Sequence, residues 1–342
     1  MSDAVNDRKV EHIRVLREEA DTDRYKAYFD DVHLRHRALP ELDLEEVDTS
    51  ISLLGKTLSF PLLISSMTGG DHDLIRQVNQ NLAIAAERTG VAMGVGSQRV
   101  MFTAPESRRS FEIREFAPST LLFSNLGAVQ LNYGLTTEMC EEAVSVLDAD
   151  ALYLHLNPLQ EAVQPEGDTN FSGLSARIGE LASQMDTPII LKEVGAGISV
   201  EDVETIINRG IRLIDVAGAG GTSWSRVESH RYAQEQDGMT GRLFQDWGIP
   251  TPQALQELKP FRDRITLIAS GGVRNGIDMA KAMVLGASLS GIARPFLEPA
   301  LDSADAVVEE VQTLKRQFKT AIFLLGMRSA SELIGNEALL RL

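Results

Sequence analysis

Cysteine is almost missing from this chain: Cys140 is the only one among 342 residues. A single thiol cannot close an intramolecular disulfide, and a cysteine-rich zinc site is excluded. Basic residues are in deficit, 33 against 49 acidic, so the formal net charge is −16. Such a chain repels polyanions, which opposes nucleic-acid binding but leaves room for a small anion in a local basic pocket. Long apolar runs are also absent. The longest uncharged stretch of note, from Phe116 up to Glu138, is broken by Pro118, Asn125, Gln130 and Asn132 and does not read as a membrane span. Residues 1–24 are densely charged and carry no apolar core, so no secretory signal is read there. The expectation is a soluble, cytoplasmic protein. No complete G-x-G-x-x-G occurs, since Gly94 and Gly96 are followed by Arg99, and there is no Walker A pattern, so a Rossmann site or P-loop is unsupported.

What is present is ordinary globular composition, 43% hydrophobic and 24% charged. A chain of this length buries roughly 75% of its unfolded surface and needs no covalent staple. Short apolar runs ending in polar or glycine-rich turns recur along it: Pro61–Ser66, Val91–Gly96, Leu121–Leu126, Ala151–Leu156, Pro188–Glu193, Leu213–Gly218, Ile265–Ser270 and Leu289–Ala293. Runs apolar on both faces fit buried parallel strands. Between them lie helical patterns at Leu74–Thr89, at Val200–Gly210 and at Ile277–Gly286. A longer one follows, with Val307, Val311, Leu314, Phe318, Ile322 and Leu325 on one face. Eight strands alternating with helices predict a (β/α)8 TIM barrel over residues 59–342, with a doubly wound open sheet as the alternative. Residues 1–58 form a charged N-terminal extension. The connection after the sixth run, Gly218 to Arg264, is the longest, and its Arg-, Gln-, Ser- and Gly-rich part over 222–248 reads as a lid or binding loop.

Barrel chemistry sits at the C-terminal strand ends. Here those ends read Ser65-Ser66-Met67-Thr68-Gly69-Gly70, Ser97-Gln98-Arg99, Asn125, His155-Leu156-Asn157-Pro158-Leu159-Gln160-Glu161, Lys192-Glu193, Ala219-Gly220-Gly221-Thr222-Ser223, Ser270-Gly271-Gly272-Val273-Arg274 and Ala293-Arg294. Gly271-Gly272 and Gly291 to Arg294 fit a phosphate site, where backbone N–H groups approach an anion closely. Lys192 closes an apolar strand and is open to three readings: contact with the electron-rich edge of a flavin, a Schiff-base amine, or a pair with a neighbouring carboxylate. His155, Asn157, Gln160 and Glu161 combine proton-handling groups with a hard oxygen ligand suited to Mg²⁺. Arg8, Lys9 and His12 form a small basic patch, either a solvated helix face or a diphosphate clamp.

These pieces together resemble the type 2, flavin-dependent isopentenyl diphosphate isomerases. The likeness runs over nearly the whole chain. Its most specific parts are Arg8-Lys9-Val10-Glu11-His12 and the segment from His155 to Glu161; the glycine-rich elements are shared with other FMN barrels. The resemblance implies interconversion of isopentenyl and dimethylallyl diphosphate in isoprenoid biosynthesis, with FMN, NADPH as reductant, Mg²⁺, and a homo-oligomer of four or eight chains. By position it implies that Ser66, Met67, Thr68, Ser97, Asn125, Lys192 and Thr222 contact FMN. Gly271, Gly272, Ala293 and Arg294 would hold its phosphate. Arg8, Lys9, His12, Ser97, Gln98, Arg99, Asn157 and Gln160 would face the substrate, Glu161 would bind Mg²⁺, and Gln160 with His155 would handle protons. The competing reading is an FMN-dependent oxidoreductase of the same barrel, such as a 2-hydroxy-acid oxidase. It lacks an obvious pair of arginines around a histidine after strand 7.

Overall fold

A computed structural model describes residues 11–67, 70, 72–232 and 236–341. A two-stranded antiparallel hairpin, β1 (Ile51–Leu53) and β2 (Lys56–Leu58), precedes eight parallel strands that close into a barrel. These are β3 (Leu62–Ile64), β4 (Ala92–Gly94), β5 (Leu122–Gly127), β6 (Ala151–Leu156), β7 (Ile189–Glu193), β8 (Leu213–Asp215), β9 (Thr266–Ser270) and β10 (Ala287–Ile292). Pairing of Ser290 with Leu62 closes the ring between β10 and β3. Every residue of β3, β4, β5 and β7 is buried, which is why the sequence shows them as unbroken apolar runs rather than alternating ones. All eight expected strands are present, in order. The open-sheet alternative is excluded by the closure.

The helices stop where the caps dictate. Asp73–Thr89 ends at Gly90, whose φ of 66° only glycine adopts cheaply. Ala304–Leu325 begins at Ser303, whose hydroxyl accepts the Ala306 N–H, and it buries the apolar stripe seen in the sequence. Two expectations shift. The helix from Val200 ends at Ile207, ahead of Gly210, and β8 stops at Asp215 rather than Gly218. At the second, Ala217 takes φ 34° and leaves the extended region, although Val216 and Gly218 still donate to the Ile268 and Ser270 carbonyls and the chain stays buried.

The long connection after β8 is largely helical. It holds Trp224–Arg231, Gln236–Leu243 and Thr251–Glu257. The N-terminal extension meets it directly. Residues 11–18 form a helix, Asp23 bridges Thr222, and the Arg24 guanidinium donates to the carbonyls of Gly195, Thr222, Gln245 and Trp247. Further along, the extension runs down the barrel side, with bridges from Leu34 to Leu340 and Asp48 to Ser329. No described helix is long and apolar enough to cross a membrane.

Candidate active site

One cavity of about 480 Å³ opens at the C-terminal mouth of the barrel, within the range of small-molecule sites. Every strand contributes to its wall. Ser66 and Met67 follow β3, Ser97 follows β4, Asn125 lies in β5, His155 in β6 and Lys192 in β7. Thr222 comes from beyond β8, Gly271 and Gly272 follow β9, and Ala293 and Arg294 follow β10. His12, Ile13 and Leu16 of the N-terminal helix cover one side, and Gln160 and Trp224 complete it. The chain is strongly acidic, yet the charged lining is basic. Lys192, Arg274 and Arg294 face a single carboxylate, Asp23, among the described residues. Arg294 donates to Thr22 Oγ1 at 2.9 Å and to the Leu16 carbonyl at 3.0 Å, and it has no carboxylate partner among the described residues.

Gly271 and Gly272 have φ of 88° and 80°. A Cβ on Gly271 would lie 2.1 Å from the Gly218 carbonyl oxygen. Only glycine lets the ends of β8 and β9 approach this closely at these φ values, and a loop without side chains lets an anion come close to backbone N–H groups. The pair of left-handed glycines, the free charge of Arg294 and the cavity size together fit FMN and its phosphate.

Asn125 anchors the near wall. Its Nδ2 donates to Ser66 Oγ at 2.9 Å, and its Oδ1 accepts from His155 Nδ1 at 2.8 Å. Because the Asn125 Oδ1 can only accept, the Nδ1 of His155 is the donor in this contact. Gln98, expected from the resemblance to face substrate, lies one layer behind the lining. Its side chain is fully buried, donating to the Ala143 carbonyl at 2.8 Å and accepting from the Asn125 N–H at 3.0 Å and from Ser124 Oγ. The 3₁₀ turn over Gln98–Phe102 explains the placement, since adjacent residues there point apart and only Ser97 reaches the cavity. Arg99 stands half-exposed outside the lining, paired with Asp168 at 2.7 Å.

A second cluster runs behind the far wall. Glu228, on the Trp224–Arg231 helix, accepts from Gln160 Nε2 at 2.9 Å and His12 Nε2 at 3.2 Å, and also from Arg231. Burial pushes its carboxyl up, but the bonds and charges of His12, Arg231 and Gln160 prevail and bring it down to about 2. Trp224 packs edge-on against His12, with centroids 5.3 Å apart. Asn157 donates to Glu161 Oε1 at 2.7 Å, and Glu161 Oε2 accepts from Gln164 at 2.6 Å and the Asp168 N–H at 2.7 Å. Asn157 and Glu161 therefore sit behind Gln160 rather than in the lining. The Asn157 Oδ1 atom is buried and unpartnered. With the Glu161 carboxylate beside it, this oxygen is of the hard kind that Mg²⁺ prefers. Arg8, Lys9 and Thr68 lie outside the described residues.

Sequence reasoning missed Glu228 and the buried Asp215 beneath Lys192, and named Arg274 only as a strand-end residue without a role. Glu228 belongs to no motif, and the one signal in the sequence is its i,i+3 spacing to Arg231 just after the Thr222-Ser223-Trp224 turn. For Lys192, the carboxylate pairing is present, to Asp215 at 3.2 Å, and the side chain also lines the cavity.

Comparison with known proteins agrees with this geometry. The FMN-dependent dehydrogenase family matches residues 8–104 and 141–341. The chain is 49% identical over 341 residues to the isopentenyl-diphosphate delta-isomerase of Hydrogenovibrio crunogenus, covering 99% of each. It is 52% identical over 338 residues to that of Paracoccus zeaxanthinifaciens, covering 98% of this chain and 97% of the other. Among solved structures, a flavocytochrome b2 with pyruvate bound superposes with a TM-score of 0.67 at 20% identity, over 95% of this chain and 79% of that one. A mandelate oxidase with a monooxide FMN adduct gives 0.63 at 19%, over 91% and 88%. At such identities these two structures show a shared fold.

Proposed function

The chain belongs to the isopentenyl-diphosphate delta-isomerases, within the FMN-dependent dehydrogenase family, and from that premise we propose that it interconverts isopentenyl and dimethylallyl diphosphate at this cavity. The observation that carries the proposal is a basic cavity at the mouth of an otherwise acidic barrel, walled by all eight strand ends.

The reaction moves a double bond by adding one proton and removing another. An alkene is a poor base, so the charged transition state needs electron-rich surroundings in a dry site. Reduced FMN, when bound, supplies an electron-rich ring and an exchangeable proton. The chain's own residues do the rest. Gly271, Gly272, Ala293 and Arg294 hold the FMN phosphate, while Ser66, Met67, Thr68, Ser97, Asn125, Lys192 and Thr222 orient the ring. Ile13, Leu16 and Trp224 wall the cavity and exclude water. Arg8, Lys9, His12 and Ser97 take the diphosphate, joined by Arg99 when it exchanges Asp168 for the phosphate, with Mg²⁺ held by Glu161 and the open Asn157 Oδ1. Glu228 stays ionised and takes the Gln160 Nε2 proton, while Gln160 Oε1 accepts from Asn157 Nδ2 at 3.3 Å, so the amide is held at both ends at the cavity wall, where it handles a proton with the substrate. His155, with its proton on Nδ1, presents Nε2 as the second proton-handling atom. NADPH serves as the reductant, and the chain works in the cytoplasm as a homo-oligomer of four or eight copies.

The test is a titration followed by turnover. Purified protein is expected to bind one FMN per chain, to isomerise isopentenyl diphosphate once NADPH and Mg²⁺ are added, and to stop when EDTA removes the metal while keeping its FMN. Lactate and mandelate should leave the oxidised flavin spectrum unchanged. Failure to take up FMN, or reduction of the flavin by a 2-hydroxy acid, would refute the assignment.

A further inference from the structure

Beneath the cavity floor lies a buried polar network that the reaction as proposed does not use. Asp215, at the end of β8, is 0% exposed and does not line the cavity. Its Oδ1 accepts from Ser270 Oγ at 2.5 Å and the Ala217 N–H at 3.2 Å. Its Oδ2 accepts from Tyr153 Oη at 3.0 Å and meets Lys192 Nζ at 3.2 Å. Lys192 Nζ also lies 3.1 Å from Ser270 Oγ. The proton directions follow from the donor inventory. An ammonium only donates, so Ser270 accepts from Lys192 and must give its one hydrogen to Asp215. Two of the three Lys192 protons are thereby committed downward, and the third is left for the cavity that Lys192 lines. Four donors use the four lone-pair positions of Asp215, so the carboxylate has one arrangement open to it.

Charge matters as much as direction. Lys192 is 6% exposed, and an ammonium so buried is costly without a counter-charge. Asp215 supplies it from the side away from the ligand. A molecule in the cavity therefore meets an oriented ion pair rather than a bare cation. We propose that Asp215 is a positioning residue that aims Lys192 at the bound FMN and tempers its charge, and so sets the flavin's reduction equilibrium. This rests on the reading that Lys192 faces the FMN ring. The consequence bears on the reaction, because an unopposed ammonium would draw electron density from the ring that has to steady positive charge on the alkene.

The test is a reductive titration of the FMN-loaded protein against a reference dye. Asp215→Asn keeps the shape and removes the charge. It is expected to favour reduced over oxidised FMN at least tenfold, an upward shift of about 30 mV for the two-electron couple. Lys192→Met, which removes the ammonium and leaves the Asp215 charge beneath the cavity, is expected to move the equilibrium tenfold the other way. Tyr153→Phe removes a neutral donor from the same carboxylate and is expected to stay within threefold of the parent. If Asp215→Asn does not fold, the tenfold shift of Lys192→Met against the unmoved Tyr153→Phe still decides whether the charged pair sets the equilibrium. An unmoved equilibrium in Asp215→Asn, with only its melting temperature lowered, would overturn the proposal, as would an unmoved equilibrium in Lys192→Met. A parent protein that binds no FMN would sink the cofactor placement instead, so the two failures are distinguishable.

Discussion

Replacing Glu228 with Gln tests the hinge between the extension, the connection after β8 and the candidate catalytic amide. The carboxylate is fully buried and holds His12, Gln160 and Arg231 at once. Its bonds outweigh burial and carry it from 4.5 to about 2. A drop of that size corresponds to about 3 kcal/mol favouring the ionised form in the folded state, at roughly 1.4 kcal/mol per pKa unit. The folded value lies below the unfolded one. The contribution is therefore complete above about pH 4.5 and is lost as pH falls toward 2. Glu228→Gln should accordingly lie about 3 kcal/mol below the parent at pH 7, and the gap should narrow between pH 4.5 and 3. Urea unfolding of both proteins with saturating FMN at pH 7, 5 and 3.5 measures it. In the same variant kcat should fall at least tenfold while FMN affinity changes less than twofold, because the FMN-facing groups lie on other walls. A gap under 1 kcal/mol, or one that does not change with pH, would refute the reasoning.

Three further outcomes follow from the geometry. Gln160→Asn withdraws the amide from Glu228 and should lower turnover at least tenfold with FMN titration unaltered; unchanged turnover would remove Gln160 from the reaction. Gly271→Ala drives a Cβ into the Gly218 carbonyl at a φ of 88°, a strain of about 1–3 kcal/mol or more. The purified variant should carry little flavin, and a full yellow complement would contradict the phosphate-loop assignment. Arg24→Ala leaves four backbone carbonyls without their shared donor. It should cost about 2–4 kcal/mol and speed limited proteolysis within 222–248, and equal thermal stability together with equal cleavage rates would show that Arg24 does not bind the extension to that connection.

The barrel was legible because parallel strands covered on both faces leave continuous apolar runs, as in β5, where all six residues are buried. Their ends were less legible. Residues 216–219 stay buried beyond the β8 ladder, so hydrophobicity could not show where pairing stops. The helix over Trp224–Arg231 escaped notice for the opposite reason. Its buried residues are Ser225, Arg226, Val227, Glu228 and Ser229, the polar ones satisfied by partners such as Asp21 and His12 that are distant in sequence, and one valine makes no apolar stripe. Strand-end residues were found by position alone, and position cannot tell a cavity residue from its support. Ser97 and Gln98 are adjacent, yet one lines the cavity and the other braces Asn125 from behind. Asp215 was hidden within an apolar run, where its partners Tyr153, Lys192 and Ser270 come from three other strands.

The central claim is that these eight strand ends hold one reduced FMN for proton transfer without net oxidation. Anaerobic incubation of the protein with FMN, NADPH, Mg²⁺ and isopentenyl diphosphate in D₂O, followed by mass spectrometry of the products, tests it most directly. The account predicts deuterium-labelled dimethylallyl diphosphate over many turnovers, with NADPH consumed only to reduce the flavin once. Product formed in step with NADPH consumption, or no label with the flavin fully reduced, would contradict it.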